Sequence, residues 1–448
     1  MSVRGWALIL AAFSAVERIL IYLLYAPVGY GDTATYQRLA TALGHGGLPA
    51  YDATRVPGYP VFIMALGSDP EAVRAAQMAL GWITAMLLFW LGWRSTGSAV
   101  FGFVLGMLYN LLANQVLVES VLLSESLTTF LVVASLAGLV SLAQARRYVS
   151  ALALILGLAA AAAGLVRALF YPLAPWLALF LARSATVDAL PSLFEGQEHG
   201  ADSARFRVIR LGLYAIIPLV LLGGWLANVN SRYGMLSPST MSGYHLVQHT
   251  GEYFHLLPDE HAAIRDTYIK YRDERIAERG DQTNAIWDAI PELTEVSGLS
   301  FFDLSREMQV LSLLLIRTHP QLYAANAAEG WVDFWKAPTL WKVESLRASS
   351  LSGLFSAWVL VSRAVALTAN AAFLLLSSAL VVSQRVRERI RLDWIFAASA
   401  GLVWLSSVVQ TLVDHGDNPR FLVPLQIIVF FVILRTGFNW IQRIEHRI

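Results

Sequence analysis

Long apolar runs alternate with short charged segments along most of this chain. A bilayer core takes about 20 mostly apolar residues per helix. That ruler picks out segments near 6–26, 73–93, 99–117, 122–143, 149–166, 168–182, 208–229, 352–383, 392–411 and 421–437. The fifth and sixth are short and separated by Arg167. The first carries Glu17 and Arg18 in its middle and shows no leader-peptide cleavage pattern, so a retained helix is expected.

Two polar stretches stand out between the apolar runs, 27–72 and 230–351. Residues 33–43 repeat apolar positions at helical spacing behind Asp32, a plausible N-cap. Residues 259–279 read as a polar helix. The amphipathic run 301–318 is expected to lie on the membrane surface. The Trp-rich stretch Gly330–Trp341 is expected at headgroup level. No internal repeat is evident, so the pattern predicts one integral domain, 1–448. It is an all-α polytopic membrane protein with about 10 transmembrane helices, a first outer loop at 27–72 and a large outer loop at 230–351 capping it.

Positive charge assigns the sides. Arg4, Arg94, Arg146 and Arg147, the group Arg183/Arg205/Arg207/Arg210, the run Arg385/Arg387/Arg389/Arg391, and Arg435/Arg443/Arg447 all fall on alternate connections. Cytoplasmic loops carry the Lys and Arg excess, which leaves 27–72, 110–121, 230–351 and 412–420 outside.

Composition agrees: 56% of the 448 residues are hydrophobic and 15% charged, which excludes a water-soluble enzyme, a disordered scaffold and a nucleic-acid module. The net charge of +1 says little, because sidedness matters more than the sum. Cysteine is absent, so disulfides and thiolate chemistry are too. Lys occurs only at 270, 336 and 342; the bias to Arg hints at a GC-rich bacterial genome.

The chemistry-bearing residues cluster where the chain leaves the membrane. Asp32, flanked by Tyr30 and Tyr36, reads as a helix cap and as a general base; the two roles are compatible. Glu119 and Glu125 stand at the mouth of the fourth span, roughly 240° apart if helical. An ionisable group in an apolar stretch is a functional candidate, with bundle packing as the alternative. Arg55 precedes the Val-Pro-Gly-Tyr-Pro turn that holds Tyr59. Arg420 follows Asp414, His415 and Asp417. Both offer a guanidinium fork to a phosphate, or an interfacial anchor. Glu17 and Arg18 read as a structural pair; Arg167 is a further buried-charge candidate. Histidines 245, 249, 255 and 261 share a loop, and His245/His249 have one-face spacing, but no acidic third metal ligand follows.

In order, the stretches GDTATYQRLATAL, RVPGYPVFIMALG, VRAAQMALGWITAML, VESVLLSESLTTFL, LLIRTHPQLYAANAAEGWVDFW and NPRFLVPLQIIVF resemble the C-type (GT-C) integral-membrane glycosyltransferases. The similarity is to the bacterial branch that includes proteins like dolichyl-phosphate-mannose-protein mannosyltransferase and the aminoarabinose transferases. The resemblance implies a glycosyltransferase of the bacterial plasma (inner) membrane with its site on the extracytoplasmic face. It would move a single sugar from a polyprenyl-phosphate-linked donor to a glycan, lipid or protein acceptor. Its inverting mechanism would use Asp32 as catalytic base, with Glu119 or Glu125 as a second acid. Arg55 and Arg420 would bind the donor phosphate, and Tyr36, Tyr59 and His415 the substrates. The family's paired acids for a divalent metal such as Mg or Mn are missing at Gly31-Asp32-Thr33-Ala34, so no metal ligand and no cofactor is assigned. The chain ends about ten residues after its last span, without the soluble domain of an oligosaccharyltransferase, whence the expectation of single-sugar transfer. The rival readings are a polytopic transporter or lipid flippase, which would show paired repeats and interrupted helices, and a non-catalytic subunit of an envelope machine.

Overall fold

The computed structural model describes residues 1–145, 147–183, 202–389, 393–415 and 419–445; Arg146, Arg391, Arg447 and Asp417 lie outside them. Helix α1 (Val3–Leu24) starts at Ser2, whose hydroxyl caps Gly5 N–H. Then come α2 (Gly31–Gly46) and α3 (Gly58–Ala65) in the first polar stretch, and α4 (Pro70–Thr96), which Asp69 caps. Proline opens α4 where its missing N–H costs nothing. The third apolar run is broken: α5 (Ala99–Leu111) meets α6 (Ala113–Val116) and the 3-10 turn Leu117–Ser120 at a 71° bend. Helices α7 (Glu125–Gln144), α8 (Val149–Val166), the short apolar α9 (Leu173–Arg183) and α10 (Asp202–Tyr233) follow.

The second polar stretch folds into α11 (Ser242–Thr250), α12 (Ala262–Arg279), α13 (Ala285–Ser297), α14 (Phe301–Thr318) and α15 (Pro320–Phe334). The chain closes with α16 (Ser352–Val382), α17 (Gln384–Arg389), α18 (Trp394–Val413) and α19 (Val423–Glu445). Among the described residues eight helices are long and apolar enough to cross a membrane, or nine if the bent pair counts as one span. The protein is an all-helical polytopic membrane protein.

Three expectations need correction. Residues 110–121 are not an exposed loop: Leu112–Val121 are buried, because the bend turns them into the bundle. The backbone groups that the bend frees find partners on α16. Trp358 Nε1 donates to Leu111 O at 2.7 Å, and Ala113 N donates to Ser362 Oγ at 3.1 Å. Next, α14 does not spread its apolar stripe on a membrane surface. Leu304, Met308, Leu311 and Leu315 face α11 and α13 in a separate core with Tyr244, Val247, Ile286 and Leu293. Lastly, the Trp-rich stretch is not confined to headgroup level. Helix α15 runs along α18, from the Tyr323 hydroxyl on Leu412 O to Trp331 stacked on Trp404, and Trp335 is buried against Phe373.

The two polar stretches meet at one end of the bundle. Arg232 bonds the carbonyls of Leu48, Pro49 and Tyr51, and Thr240 N donates to Ala53 O at 2.9 Å. Tyr30 OH bonds Trp341 O.

Candidate active site

Asp32 does not cap α2; Tyr30 precedes the helix and Asp32 lies in its first turn. The turn is fixed by Thr33, whose Oγ1 accepts from Tyr30 N and donates to Leu122 O, both at 3.0 Å. Just upstream, Val28 N donates to Ser120 O and Leu122 N donates to Val28 O, each at 2.9 Å. The start of α2 is thus tied directly to the segment between Glu119 and Glu125.

Two guanidiniums hold the Asp32 carboxylate. Arg55 Nη2 reaches Oδ1 at 2.8 Å, and Arg420 Nη2 bonds Oδ2. Arg55 comes from the turn before α3, where Gly58 lies so close to the Leu165 backbone of α8 that a Cβ there would meet its carbonyl at 2.7 Å. Arg55 Nη1 also bonds Thr54 O at 3.0 Å. Arg420 comes from the 3-10 turn Pro419–Leu422 before α19.

Behind this triplet stands Glu125, the first residue of α7, only 1% exposed. Its Oε1 lies 2.8 Å from Arg167 Nη1 and 3.6 Å from Arg420 Nε. Arg167 follows α8 and lies over the Phe421 ring, 4.4 Å from its centre. Asp32, Arg55 and Arg420 are about one-fifth exposed, at 19%, 21% and 16%. Asp32 is therefore reachable and Glu125 sealed. Burial raises the Asp32 carboxyl, but Arg420 and Arg55 outweigh it and hold it well below the usual carboxylate range.

Three guanidiniums thus face two carboxylates in one partly buried cluster. Arg167 Nε, Arg420 Nε and Glu125 Oε2 are buried without hydrogen-bond partners among the described residues. Surplus positive charge with unused donors at a low-dielectric site suits an anion, and a phosphate above all.

Glu119 belongs to a different cluster. It is 0% exposed, takes Arg18 Nη2 at 2.6 Å and Tyr109 OH at 3.1 Å, and sits where Gly81 has no side chain. Arg18 also bonds Ser14 and Asn110, and Glu17 lies 3.5 Å away. Sequence reasoning paired Arg18 with Glu17; its principal partner is Glu119, 101 residues on, which no local pattern signals.

The expected substrate contacts fare unequally. Tyr36 is buried beside the site, hydrogen-bonded to Ser124 and edge-on to Tyr59 at 4.9 Å. Tyr59 is fully buried, its hydroxyl on Gln77 Oε1 at 2.9 Å. Gln77 Nε2 in turn binds the Glu119 and Val121 carbonyls at 2.9 and 2.8 Å. Both tyrosines are supports rather than open surfaces. His415 lies 5.5 Å from His249, ring to ring, and His245 Nδ1 is 3.3 Å from Asp414 Oδ2. These residues join α11 to the end of α18, and none of their contacts reaches Asp32. His255 and His261 lie on other turns, against Arg272 and Glu260. Among the described residues no group of three or more His, Asp or Glu is arranged to hold a metal ion.

Fold and site define a class: a helical polytopic membrane protein with a self-paired cluster of arginines and carboxylates opening at one end of its bundle. Neither a protein-family model nor a curated protein matches the chain. Among solved structures it is similar to the apo oligosaccharyltransferase of Archaeoglobus fulgidus, at TM-score 0.48 and 14% identity, over 99% of this chain and 51% of that one. It is also similar to ArnT from Cupriavidus metallidurans bound to undecaprenyl phosphate, at TM-score 0.40 and 16% identity, over 99% of this chain and 79% of that one. The chain spans about half the length of the oligosaccharyltransferase.

Proposed function

We propose that the protein is a membrane glycosyltransferase of the C type, moving a sugar from a polyprenyl-phosphate-linked donor to an acceptor hydroxyl on the extracytoplasmic face. The observation that carries this reading is the clasp of Arg55 and Arg420 on Asp32, backed by Arg167 and Glu125. The ordered sequence stretches that resemble the family fall on these same elements, at α2, α3, α7 and α19.

The clasp explains how one site holds both an anion and a base. The arginines neutralise Asp32 and hold its carboxyl well below the usual carboxylate range, against the effect of burial. A donor phosphate competes for the same guanidinium forks. As they turn to the phosphate, Asp32 loses the charges that depress it and becomes a better proton acceptor. The acceptor oxygen then attacks the anomeric carbon as its proton passes to Asp32. The bond from that carbon to the phosphate oxygen breaks with its electron pair on the phosphate, where Arg55 and Arg420 stabilise the charge. One displacement inverts the anomeric centre. Glu125 keeps Arg420 and Arg167 in place and does not touch the reactants. Residues 27–72 and 230–351 form the outer loops that enclose this site, and the membrane is the bacterial plasma membrane.

The test is a transfer assay on purified full-length protein in nanodiscs, with a radiolabelled polyprenyl-phosphate sugar. Release of polyprenyl phosphate matched by labelled acceptor supports the reading; no release with any donor sugar of a broad panel overturns it.

A further inference from the structure

Helix α16 belongs to the apolar segment Ser349–Val382, whose 34 residues contain one charge, Arg363. Arg363 is exposed, and no described residue gives it an ion pair or hydrogen bond. Leu360 and Leu367 lie one turn to either side on the same flank, 70% and 40% exposed. The guanidinium therefore interrupts a column of lipid-facing leucines. A charge on the lipid face of a span costs several kcal/mol or more and calls for a partner.

Its depth identifies that partner. Gln426 Nε2 of α19 bonds Asn370 Oδ1 of α16 at 2.9 Å, which sets the two helices level at that point. Both run inward from the site end: Phe355 stacks on Tyr25 at the end of α1, and Gln115 bonds Val423 O. Arg363 lies seven residues above Asn370 and Arg420 six above Gln426, about 10 Å in each case at a helical rise. The lipid-facing arginine and the arginine that clasps Asp32 thus stand at one depth. Asn370 and Arg363 share a flank of α16, and Asn370 Nδ2 binds Trp335 O. From Trp335 the chain climbs to Lys342, whose ammonium lies 5.0 Å from the centre of the Tyr30 ring, two residues from Asp32.

We propose that Arg363 is a docking point for the phosphate of the lipid-linked donor, the position at which that phosphate is held on the bilayer side before it passes the 335–342 segment to Arg55 and Arg420. A long-chain lipid phosphate suits the place: its tail stays among the leucines while its charge meets an exposed arginine at site depth. The proposal rests on the donor class proposed above and adds a second, outer phosphate position.

The test uses full-length protein in nanodiscs and measures binding of a long-chain polyprenyl phosphate by native mass spectrometry, with phosphatidylglycerol as the competing lipid. Arg363→Gln is expected to weaken binding about tenfold, the scale of one lost charged hydrogen bond, and Arg363→Lys less. Phosphatidylglycerol is expected to be unaffected by either change. Native-like polyprenyl phosphate binding by Arg363→Gln overturns the proposal. So does an equal loss of phosphatidylglycerol, which makes Arg363 a general headgroup anchor, or a change in the number of chains per particle, which makes it a contact between subunits. If the native protein binds no polyprenyl phosphate, the donor class itself fails and this proposal with it. Native binding with an unaffected Arg363→Gln defeats the outer position alone.

Discussion

Asp32 and Glu125 share Arg420, whose Nη2 holds the first and whose Nε lies 3.6 Å from the second. One guanidinium therefore couples a partly exposed carboxylate to a sealed one. Any ligand that draws Arg420 away from Asp32 does so against the pull of Glu125, which limits how far the arginine travels.

Asp32→Asn keeps the shape of the side chain in the first turn of α2 and removes the proton acceptor. Transfer is expected to fall by about two orders of magnitude or more. Polyprenyl phosphate should bind at least as well, since a competing carboxylate is gone. Single-turnover rates and binding isotherms on the same preparation check both halves; transfer near the native rate moves the base elsewhere.

Arg420→Ala and Arg55→Ala should each weaken polyprenyl phosphate binding about tenfold or more. Lys should restore part of it, having charge without the fork. Arg420 should be the more sensitive position, because its loss also strips Glu125 of a partner. Binding isotherms on the four variants decide; equal native affinity in all would return both arginines to interfacial anchors.

Glu119→Gln and Glu125→Gln separate the two clusters. Each leaves an arginine buried with less compensation, and thermal unfolding should report a loss of about 3 kcal/mol. Transfer per folded molecule should drop strongly only in Glu125→Gln. Adding Arg18→Met to Glu119→Gln should recover much of the stability, since the unpaired charge leaves with it.

His249 predicts an acid limit to stability. Burial, with His415 beside it, lowers its pKa from 6.5 to about 4. The unfolded chain binds the proton first, so stability rises with pH between those values and is lost as pH falls through them. The expected loss is about 3 kcal/mol. The ring is buried and Tyr323 packs edge-on at 5.4 Å, so His249→Phe should fold at neutral pH. Melting temperatures from pH 7 down to pH 4.5 should be flatter in that variant than in the native protein.

The absence of cysteine makes sidedness easy to measure. His45→Cys and Asp281→Cys should both react with a membrane-impermeant maleimide in intact cells. Arg385→Cys should react only after lysis. Protection of either of the first two would place the site on the cytoplasmic side.

The apolar runs, the two polar stretches and the charged residues of the site were legible in the sequence, because ionisable groups beside bilayer-length segments are conspicuous. Their pairing was not. Arg55 and Arg420 read as free forks for a phosphate, and only tertiary structure brings them onto Asp32 from 23 and 388 residues away. The choice between Glu119 and Glu125 was equally hidden, since both lie in VESVLLSESL and their partners come from α1 and from the turn after α8. The bend at Leu112 carries no proline or glycine. It is stabilised by Trp358 and Ser362, about 250 residues away, which a local pattern cannot report. The apolar stripe of α14 was read correctly as a stripe, but its destination depended on α11 and α13 being there to cover it.

The paired hydrogen bonds between Val28 and the Ser120–Leu122 segment, followed by the Thr33 bond to Leu122 O, make the residues between them a spacer of fixed length. An insertion between Val28 and Asp32 would rotate the carboxylate by about 100° around α2, away from both arginines, while leaving every side chain of the cluster present. An insertion in the exposed turn at residues 45–50 would change nothing at the site. The protein would tolerate length variation on one side of α2 and none on the other.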